Sequence, residues 1–469
     1  MNKKLIIISL FGLTLGIAGC KKFLDIGPEN VILAEDALKT PEDAQRLLVS
    51  CYDVLGNTFD GRTQNIAELL SDNLERPLNN LDLIAVHDRE VNFFTSTTNN
   101  IYADLYRAIF RANTVIESLD VFEGLSDGEK ARMESEARFI RAICHWWTLK
   151  IWAQPWGYTP DNSHLGIVLR LGTDATPVPR NTVAECYSSI IEDLVYCYDN
   201  LPLANGNFAS KYAAGALLSQ VYFQQNNYSS AAAIASEVIN SGNYALVQGL
   251  DSFHSMDNDI QFVTNPEAIF SIISFSSSEL VDFRNEGFRD NYIPGQAGAQ
   301  LSFSQDLFNL FSQGGNDPRT EAWISVEGGQ NLNLRYGTPE DSVFLFNIPL
   351  IRLTHVKLIR AESLAELGTD LSTAIDDIND IRERSFGGPQ ANLSLSSSAT
   401  QVIEAARLEF RKETVGEGYR IDQIRRLGAK GLPITVRGAP WNCPGMAIQF
   451  PNAEFTGASF VGNPEGGCD

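Results

Sequence analysis

The sequence predicts a mainly α-helical protein, in which tetratricopeptide-like helical pairs form a scaffold and an irregular loop-rich lobe carries a few short strands. Three observations predict it. Several helix starts are spelled out in capping residues. Two stretches, 211–242 and 353–384, read as helix-turn-helix units. Between them, residues 243–350 abandon helical periodicity for Gly, Ser, Asn and aromatics.

Residues 1–20, MNKKLIIISLFGLTLGIAGC, read as a lipoprotein signal. Lys3 and Lys4 form a charged start, and residues 5–17 form an apolar run of signal-peptide length. Ile17-Ala18-Gly19-Cys20 then supplies a branched residue, two small residues that fit a peptidase cleft, and a thiol that can take a diacylglyceryl group. The run is shorter than the ~20 residues that span a bilayer. The mature chain is therefore expected to begin at Cys20, held to the lipid bilayer by its acyl chains. Lys21 and Lys22 follow it, not the acidic sorting residues that some surface lipoproteins carry.

Helical signals begin at Thr40-Pro41-Glu42-Asp43, which gives a cap, a proline at the first helical position and acids near the positive end. Ser126 with Glu129, Thr182 with Glu185 and Ser398 with Gln401 are capping boxes. After Ser126, Met133, Ala137, Ile140, Cys144, Trp147 and Ile151 recur at helical spacing. They predict one buried stripe on a helix that reaches about Ala153 and stops near Pro155 and Gly157. Trp146, Trp147 and Trp152 read as core of that helix.

In 211–242, Leu218, Tyr222, Tyr228, Ala231, Ala235 and Val238 fall where a tetratricopeptide unit puts its packing residues, and Asn226-Asn227 supplies the turn. The pair at 353–384 sets Leu358, Ala361 and Ala365 against Ala374, Ile378 and Ile381 across Gly368-Thr369-Asp370. Helices around 41–56, 100–121, 127–153 and 183–200 extend the array. The chain divides into a signal (1–19), an N-terminal helical part (20–242), an irregular ligand-facing insertion (243–350), C-terminal helical pairs (351–427) and a loop-rich tail (428–469), packed as one unit. Within the insertion, 268–273 and 342–346 read as strands. Long irregular insertions on a rigid frame commonly present ligand groups.

Without residues 1–19, 34 Lys and Arg face 58 Asp and Glu, a net charge of −24. Such a surface repels phosphate backbones and anionic headgroups, which excludes nucleic-acid binding and leaves anchoring to the lipid. Cys51, Cys144, Cys186 and Cys197 sit in helical patterns and read as buried thiols. Cys443 and Cys468 lie in the Gly/Pro-rich tail, where they can form a disulfide or stay free. With no CxxC, HExxH or His/Cys cluster, no metal site is expected. His87, His145, His164, His254 and His355 have no partner at ligand spacing. No Gly-x-Ser-x-Gly elbow or phosphate-binding glycine loop is present, and among 58 acids carboxylate pairs arise by chance. Neither an enzyme nor a cofactor is expected.

Several segments, in order, carry a resemblance. They are Cys20-Lys21-Lys22-Phe23-Leu24-Asp25, EARFIRA (136–142), RNTVAECYSSIIEDLVYCYDNLP (180–202), SGNYAL (241–246), Pro266-Glu267-Ala268-Ile269-Phe270-Ser271, Asp317-Pro318-Arg319 and EFRKETVGEGYRIDQIRRLG (409–428). Together they resemble the SusD/RagB family of outer-membrane nutrient-uptake, starch-binding-like lipoproteins. Glu409, Arg411, Glu413, Glu417, Gly418, Arg420, Arg425, Arg426 and Gly428 agree with the family's C-terminal signature. Gln423 stands where an aspartate is usual, and Leu427 where a tryptophan is usual. The resemblance implies a surface-exposed outer-membrane lipoprotein that acts as a hinged lid on a SusC-like TonB-dependent transporter. It would deliver oligosaccharides, or in some members peptides, without covalent chemistry. The Glu409-Glu413 and Arg411-Arg425 pattern reads as a charge network pinning the last helix to the scaffold.

Sugar capture would use aromatic faces stacked on the apolar faces of pyranose rings, with polar side chains bonding the hydroxyls. Two regions offer them, 74–100 and 280–336. Phe93, Phe94, Tyr292, Trp323 and Tyr336 are the stacking candidates, and Asn79, Asn80, Arg284 and Asn291 their polar partners. Each aromatic can equally be core or a loop anchor. Two other readings compete: a peptide cargo, and a tetratricopeptide-type scaffold that docks proteins and binds no nutrient.

Overall fold

The structure, a computed structural model, describes residues 39–250, 265–276, 281–282, 284–293, 299–312, 317–336, 347–457, 459–464 and 467–468. Cys20 with its signal, and the strand expected at 342–346, lie outside the described residues. The N-terminal part holds helices α1 (Pro41–Thr58), α2 (Arg62–Leu69), α3 (Leu81–His87), α4 (Ser96–Ser118), α5 (Asp127–Trp152), α6 (Val183–Asn200), α7 (Lys211–Gln224) and α8 (Tyr228–Asn240). A middle lobe follows, with strands β1 (Ala268–Ile272), β2 (Phe275–Ser276) and β3 (Val281–Asp282). It continues through helices α9 (Glu286–Tyr292), α10 (Gln305–Ser312) and α11 (Arg319–Trp323), then strands β4 (Ile324–Glu327) and β5 (Gln330–Asn333). Strand β6 (Ile348–Arg352) runs directly into α12 (Leu353–Leu367). Helices α13 (Leu371–Phe386), α14 (Ala399–Glu413) and α15 (Arg420–Ala429), a hairpin of β7 (Thr435–Val436) and β8 (Ala439–Pro440), and a tail complete the chain.

All four expected caps form. Thr40, Ser126, Thr182 and Ser398 each accept the N–H of the residue three positions on, whose side chain reaches back to the cap's own N–H. Each box satisfies two donors that helix geometry would otherwise leave unpaired. The α5 stripe is buried as expected, and the helix ends at Ala153 in extended backbone. Its second half is buried on every side, Trp147 and Trp152 included, and each large side chain so buried stabilises the fold by about 2–3 kcal/mol.

The helices pack in one continuous row: α1 on α4, α4 on α5, α5 on α6, α6 on α7, α7 on α8, α8 on α12, and α12 on both α13 and α14. Small residues set the spacing in its middle. A Cβ on Gly215 of α7 would meet the Tyr198 ring of α6 at 2.8 Å and Val238 of α8 at 3.2 Å. The α7–α8 turn uses Asn226 in the left-handed region and Asn227 as the next cap. The pair α12–α13 turns at Gly368, and its expected facing residues form their own cluster with Val402 and Ala406 of α14.

The middle lobe is clamped at both ends. β1 pairs antiparallel with β6, joining Phe270 to Ile351 and Ile272 to Ile348. The Phe270 ring then packs edge-on against Phe139 of α5, 4.9 Å between centroids. Its other anchor is a close backbone approach: Gly61, at φ +112°, has the Phe288 nitrogen 2.5 Å from where a Cβ would stand. Cys443 and Cys468 are disulfide-bonded, Cα atoms 5.2 Å apart, which closes the tail on itself. Cys51, Cys144, Cys186 and Cys197 are buried free thiols, and burial pushes Cys51 and Cys186 up to about 12.

Candidate functional site

The two expected site regions behave differently. At the first, α3 starts at Asn80, whose Oδ1 accepts the Asp82 and Leu83 N–H groups at 3.1 and 3.2 Å. The Asp82 carboxylate accepts Ser96 Oγ and the Thr97 N–H, both at 2.7 Å, which ties the start of α3 to the start of α4. Burial pushes Asp82 up, but these bonds outweigh it and hold the carboxyl below its ordinary range. Between the helices, Asn92 Oδ1 accepts the Phe94 N–H at 2.9 Å and the Asn99 amide donates to the Phe93 carbonyl at 2.8 Å. The turn is thereby fixed with two phenyl rings at its edge, 6.2 Å apart and nearly perpendicular.

Phe94 is 76% exposed and Leu81 80% exposed, with Leu78 also outside. The half-buried Phe93 is propped from below by Phe455 of the tail, 5.1 Å between centroids. Phe455 rests on Phe460, Phe460 on Phe450, and Phe450 on Tyr102 of α4. A ladder of rings thus runs from the core to the surface and ends in an exposed aromatic corner. Asn79 and Asn80 are exposed at the same corner, although the Asn80 oxygen is committed to its cap.

The second region is corrected. Tyr292 is 1% exposed, between the rings of Phe288 and Phe303. Trp323 is 2% exposed, with Phe311 at its edge and the Arg335 guanidinium over its face at 4.6 Å. Neither ring can meet a sugar. The Arg284 guanidinium bonds Asp53 and Asn57, both at 2.7 Å, and the Asn291 amide donates to the Gly287 carbonyl at 2.7 Å. These residues fasten the lobe to α1 and to itself. The physical reason is that a lobe with little regular structure must make its core from its own aromatics. Tyr336 closes the 3-10 turn Leu334–Tyr336, and its side chain lies outside the described residues.

Beside Trp323 lies a buried seam of charge. Arg319 donates to Glu409 and Glu413 at 2.8 Å each, and it forks onto Asp317, which also takes Lys412 at 2.8 Å. Arg352 reaches Glu267 at 2.8 Å and Glu417 at 2.7 Å, and Glu417 also accepts Arg335 at 2.7 Å and His355 at 2.9 Å. Arg384 bridges Glu413 and Glu267. Arg382 donates to Glu409 from the rim at 2.9 Å, so six cations (Arg319, Arg335, Arg352, Arg382, Arg384, Lys412) face five carboxylates (Glu267, Asp317, Glu409, Glu413, Glu417). Burial pushes Glu413 up, yet Arg384, Arg319 and Arg352 together bring it down to about 2. The seam joins the middle lobe to α12, α13 and α14. It is structural.

Comparison with known proteins bears on both features. A SusD-like family model described as "Starch-binding associating with outer membrane" matches residues 22–223, and the model described as "SusD family" matches residues 345–450. The two matches follow each other in chain order and together take in about two thirds of the sequence. The chain belongs to the SusD/RagB family. SusD-like protein P25 of Formosa agariphila is 24% identical over 300 residues, 61% of this chain and 52% of the relative, so the chain aligns with about half of that relative's length. A SusD superfamily protein from Bacteroides thetaiotaomicron has the same fold, with a TM-score of 0.78 at 21% identity, covering 91% of this chain and 100% of that one. A laminarin binding SusD-like protein superposes with a TM-score of 0.70 at 19% identity, covering 91% of this chain and 99% of that one.

The SusD/RagB signature of 409–428 turns out to be the means of attachment. Glu409 and Glu413 lie in the seam. Arg411 and Arg420 bond Asp72, and the Gly416 and Gly418 N–H groups donate to the buried Glu68 at 3.2 and 3.0 Å. Arg426 forks onto Glu362 at 2.9 Å. Arg425 departs from the expected charge network, since it donates to the backbone carbonyls of Lys150 and Met446. At the unusual Gln423, the amide donates to the Arg407 carbonyl at 2.8 Å, and Leu427 is buried. Sequence reasoning missed Phe455. Its signal was the recurrence of Phe450, Phe455 and Phe460 in the tail bracketed by Cys443 and Cys468.

Proposed function

We propose that this protein is a surface-exposed outer-membrane lipoprotein, tethered through an acylated Cys20, that binds oligosaccharides at the Phe93–Phe94 corner. It hands them to a SusC-like TonB-dependent transporter, over which it moves as a hinged lid. The observation that carries the reading is Phe94, a ring held open to solvent on a turn fixed by hydrogen bonds and propped by Phe93 and Phe455. Scattered exposed apolar residues are ordinary. A buttressed aromatic edge flanked by Leu78, Leu81 and asparagines is a platform for the apolar face of a pyranose, with amides beside it for the hydroxyls.

The energetics suit capture followed by release. One stacked ring contributes about 1–2 kcal/mol, so two or three subsites together reach an affinity between roughly tens of millimolar and tens of micromolar, weak enough to let cargo go. The family match supports the outer-membrane setting, and the tetratricopeptide-like row provides a rigid frame behind the corner. Two measurements test the proposal together. Mild detergent extraction of native membranes should co-purify a large barrel protein, and isolation as a lone monomer counts against the lid. In polysaccharide affinity gels the protein should be retarded by at least one glycan. Migration unaltered by every glycan, together with calorimetric binding of peptides, would transfer the reading to a peptide cargo.

A further inference from the structure

We infer that the Cys443–Cys468 disulfide is a clasp that positions the aromatic corner, by gripping the residue from which the chain enters the Phe93–Phe94 turn. This rests on the glycan reading above and adds what binding there depends on, a cross-linked tail. The gripped residue is Arg89. At the end of α3 the Glu90 N–H donates to the Ala85 carbonyl at 2.8 Å and the Arg89 N–H to the Val86 carbonyl at 3.1 Å. Arg89 makes this turn at φ +62°, in the left-handed region. Helix ends usually place glycine there, because a Cβ crowds the following carbonyl oxygen. An arginine keeps such a conformation only where its surroundings leave it no other.

The tail supplies those surroundings from both arms of the cross-link. Two residues after Cys443, a Cβ on Gly445 would overlap the Arg89 carbonyl oxygen. One residue before Cys468, a Cβ on Gly467 would stand 3.7 Å from the same oxygen and 3.5 Å from Glu90 Cγ. The buried Arg89 guanidinium donates to the Val436 carbonyl at 2.9 Å and lies 3.9 Å from Cys443 Sγ. Backbone and side chain of one strained residue are thus held by the tail, four positions before Phe93.

The ring ladder is secured separately. Gln449 accepts the Asn463 N–H at 3.1 Å and donates to the Asn463 carbonyl at 2.9 Å, and the Asn463 amide donates to the Trp152 carbonyl of α5 at 2.8 Å. Phe450, Phe455 and Phe460 lie between the two sides of this neck. Opening the S–S bond therefore releases the arm that carries Gly467 and leaves the ladder standing. Phe94 is then on a turn with a loose entry, and a sugar that stacks on it must first order it.

The test pairs calorimetry with hydrogen exchange on the full mature chain, well below the melting midpoints. The probes are soluble starch, laminarin, xylan and galactomannan. In the variant Cys443→Ser/Cys468→Ser, each polymer that the wild type binds should be held about fivefold more weakly. Amides 90–95 should exchange about fivefold faster, while those of α5 stay as they are. In a Phe94→Ala background the serine pair should cost less than about twofold, because the ring through which it acts is gone. Reduction of the wild type by a phosphine, which with water gives two thiols and the phosphine oxide, supplies a second measurement. Followed until both thiols titrate, it should reproduce the loss. Affinity within twofold of the wild type, the same loss with and without Phe94, or unaltered exchange at 90–95 overturns the clasp and leaves the glycan reading standing. A wild type that binds none of the four polymers overturns both.

Discussion

The charged seam and the aromatic corner are both exceptions to the rule that apolar groups go inside and charges outside, and they break it in opposite directions. The seam buries ten charged side chains between the middle lobe and the C-terminal helices, and each has its counter-charge within hydrogen-bond distance. The corner leaves Phe94 in water on a turn fixed by hydrogen bonds from Asn92, Thr95 and Asn99. Buried charge that is fully paired contributes little net stability, but it fixes one arrangement of the parts it joins. Exposed aromatic surface contributes nothing to folding while it stays wet. The difference separates what the fold needs from what it has been made to present.

The largest effect should come from unbalancing the seam. Arg352→Met keeps the volume but strands Glu267 and Glu417 without their shared cation. Loss of one partner from a buried pair costs about 3–5 kcal/mol. Chemical denaturation should show a fall of that order, and an unchanged midpoint would mean that the seam relaxes freely.

Acid should act on the same feature. Glu413, ordinarily near 4.5, is held at about 2, so the folded state binds fewer protons than the unfolded one in that interval. Its contribution, on the order of 3 kcal/mol, is complete above about pH 4.5 and is lost as pH falls towards 2. Asp60 works the other way. Burial raises it to about 6 despite Arg62, so its protonation favours the fold as pH drops from 6 to 4. Melting temperature should therefore hold or rise slightly from pH 7 to 5 and fall steeply below 4. A steady decline starting at pH 7 would contradict this.

How much of this was legible in the sequence depended on range. The four caps, the α5 stripe and the α7–α8 pair were readable because their determinants lie within one or two helical turns. Two members of the seam were readable as well, since Glu409 and Glu413 stand one turn apart on α14. Their partners were not, because Arg352, Arg319 and Glu267 reach them only after β1 pairs with β6 and closes the lobe. For the same reason Tyr292 and Trp323 looked like stacking rings: closure, which no local pattern records, decides whether a lobe aromatic faces water or core. Phe93 and Phe94 were legible as neighbouring rings between early helices, while Phe455, which props Phe93 from more than 350 residues further along, was not.

A third change addresses the corner. Phe94→Ala removes an exposed ring, so the melting temperature should move by no more than about 1 °C. Glycan affinity should fall about tenfold, near 1.4 kcal/mol, read by calorimetry with whichever polymer the wild type retains. Equal affinity for variant and wild type would move the site away from α3 and α4.

The smallest effect on binding is expected from Trp323→Phe, and it sharpens the contrast most directly because it too alters an aromatic residue first read as a stacking platform. Trp323 lies under the Arg335 guanidinium, which in turn holds Glu417 at 2.7 Å. Replacing indole by phenyl weakens that cation–π contact and leaves a gap in the lobe core, so stability should drop by about 1–2 kcal/mol. Glycan affinity should stay within twofold of the wild type, because the ring has no face open to solvent. Phe94→Ala and Trp323→Phe thus form a crossed pair, one expected to move affinity without stability and the other stability without affinity. If Trp323→Phe lowers affinity as much as Phe94→Ala does, the lobe opens during binding and the seam moves with it.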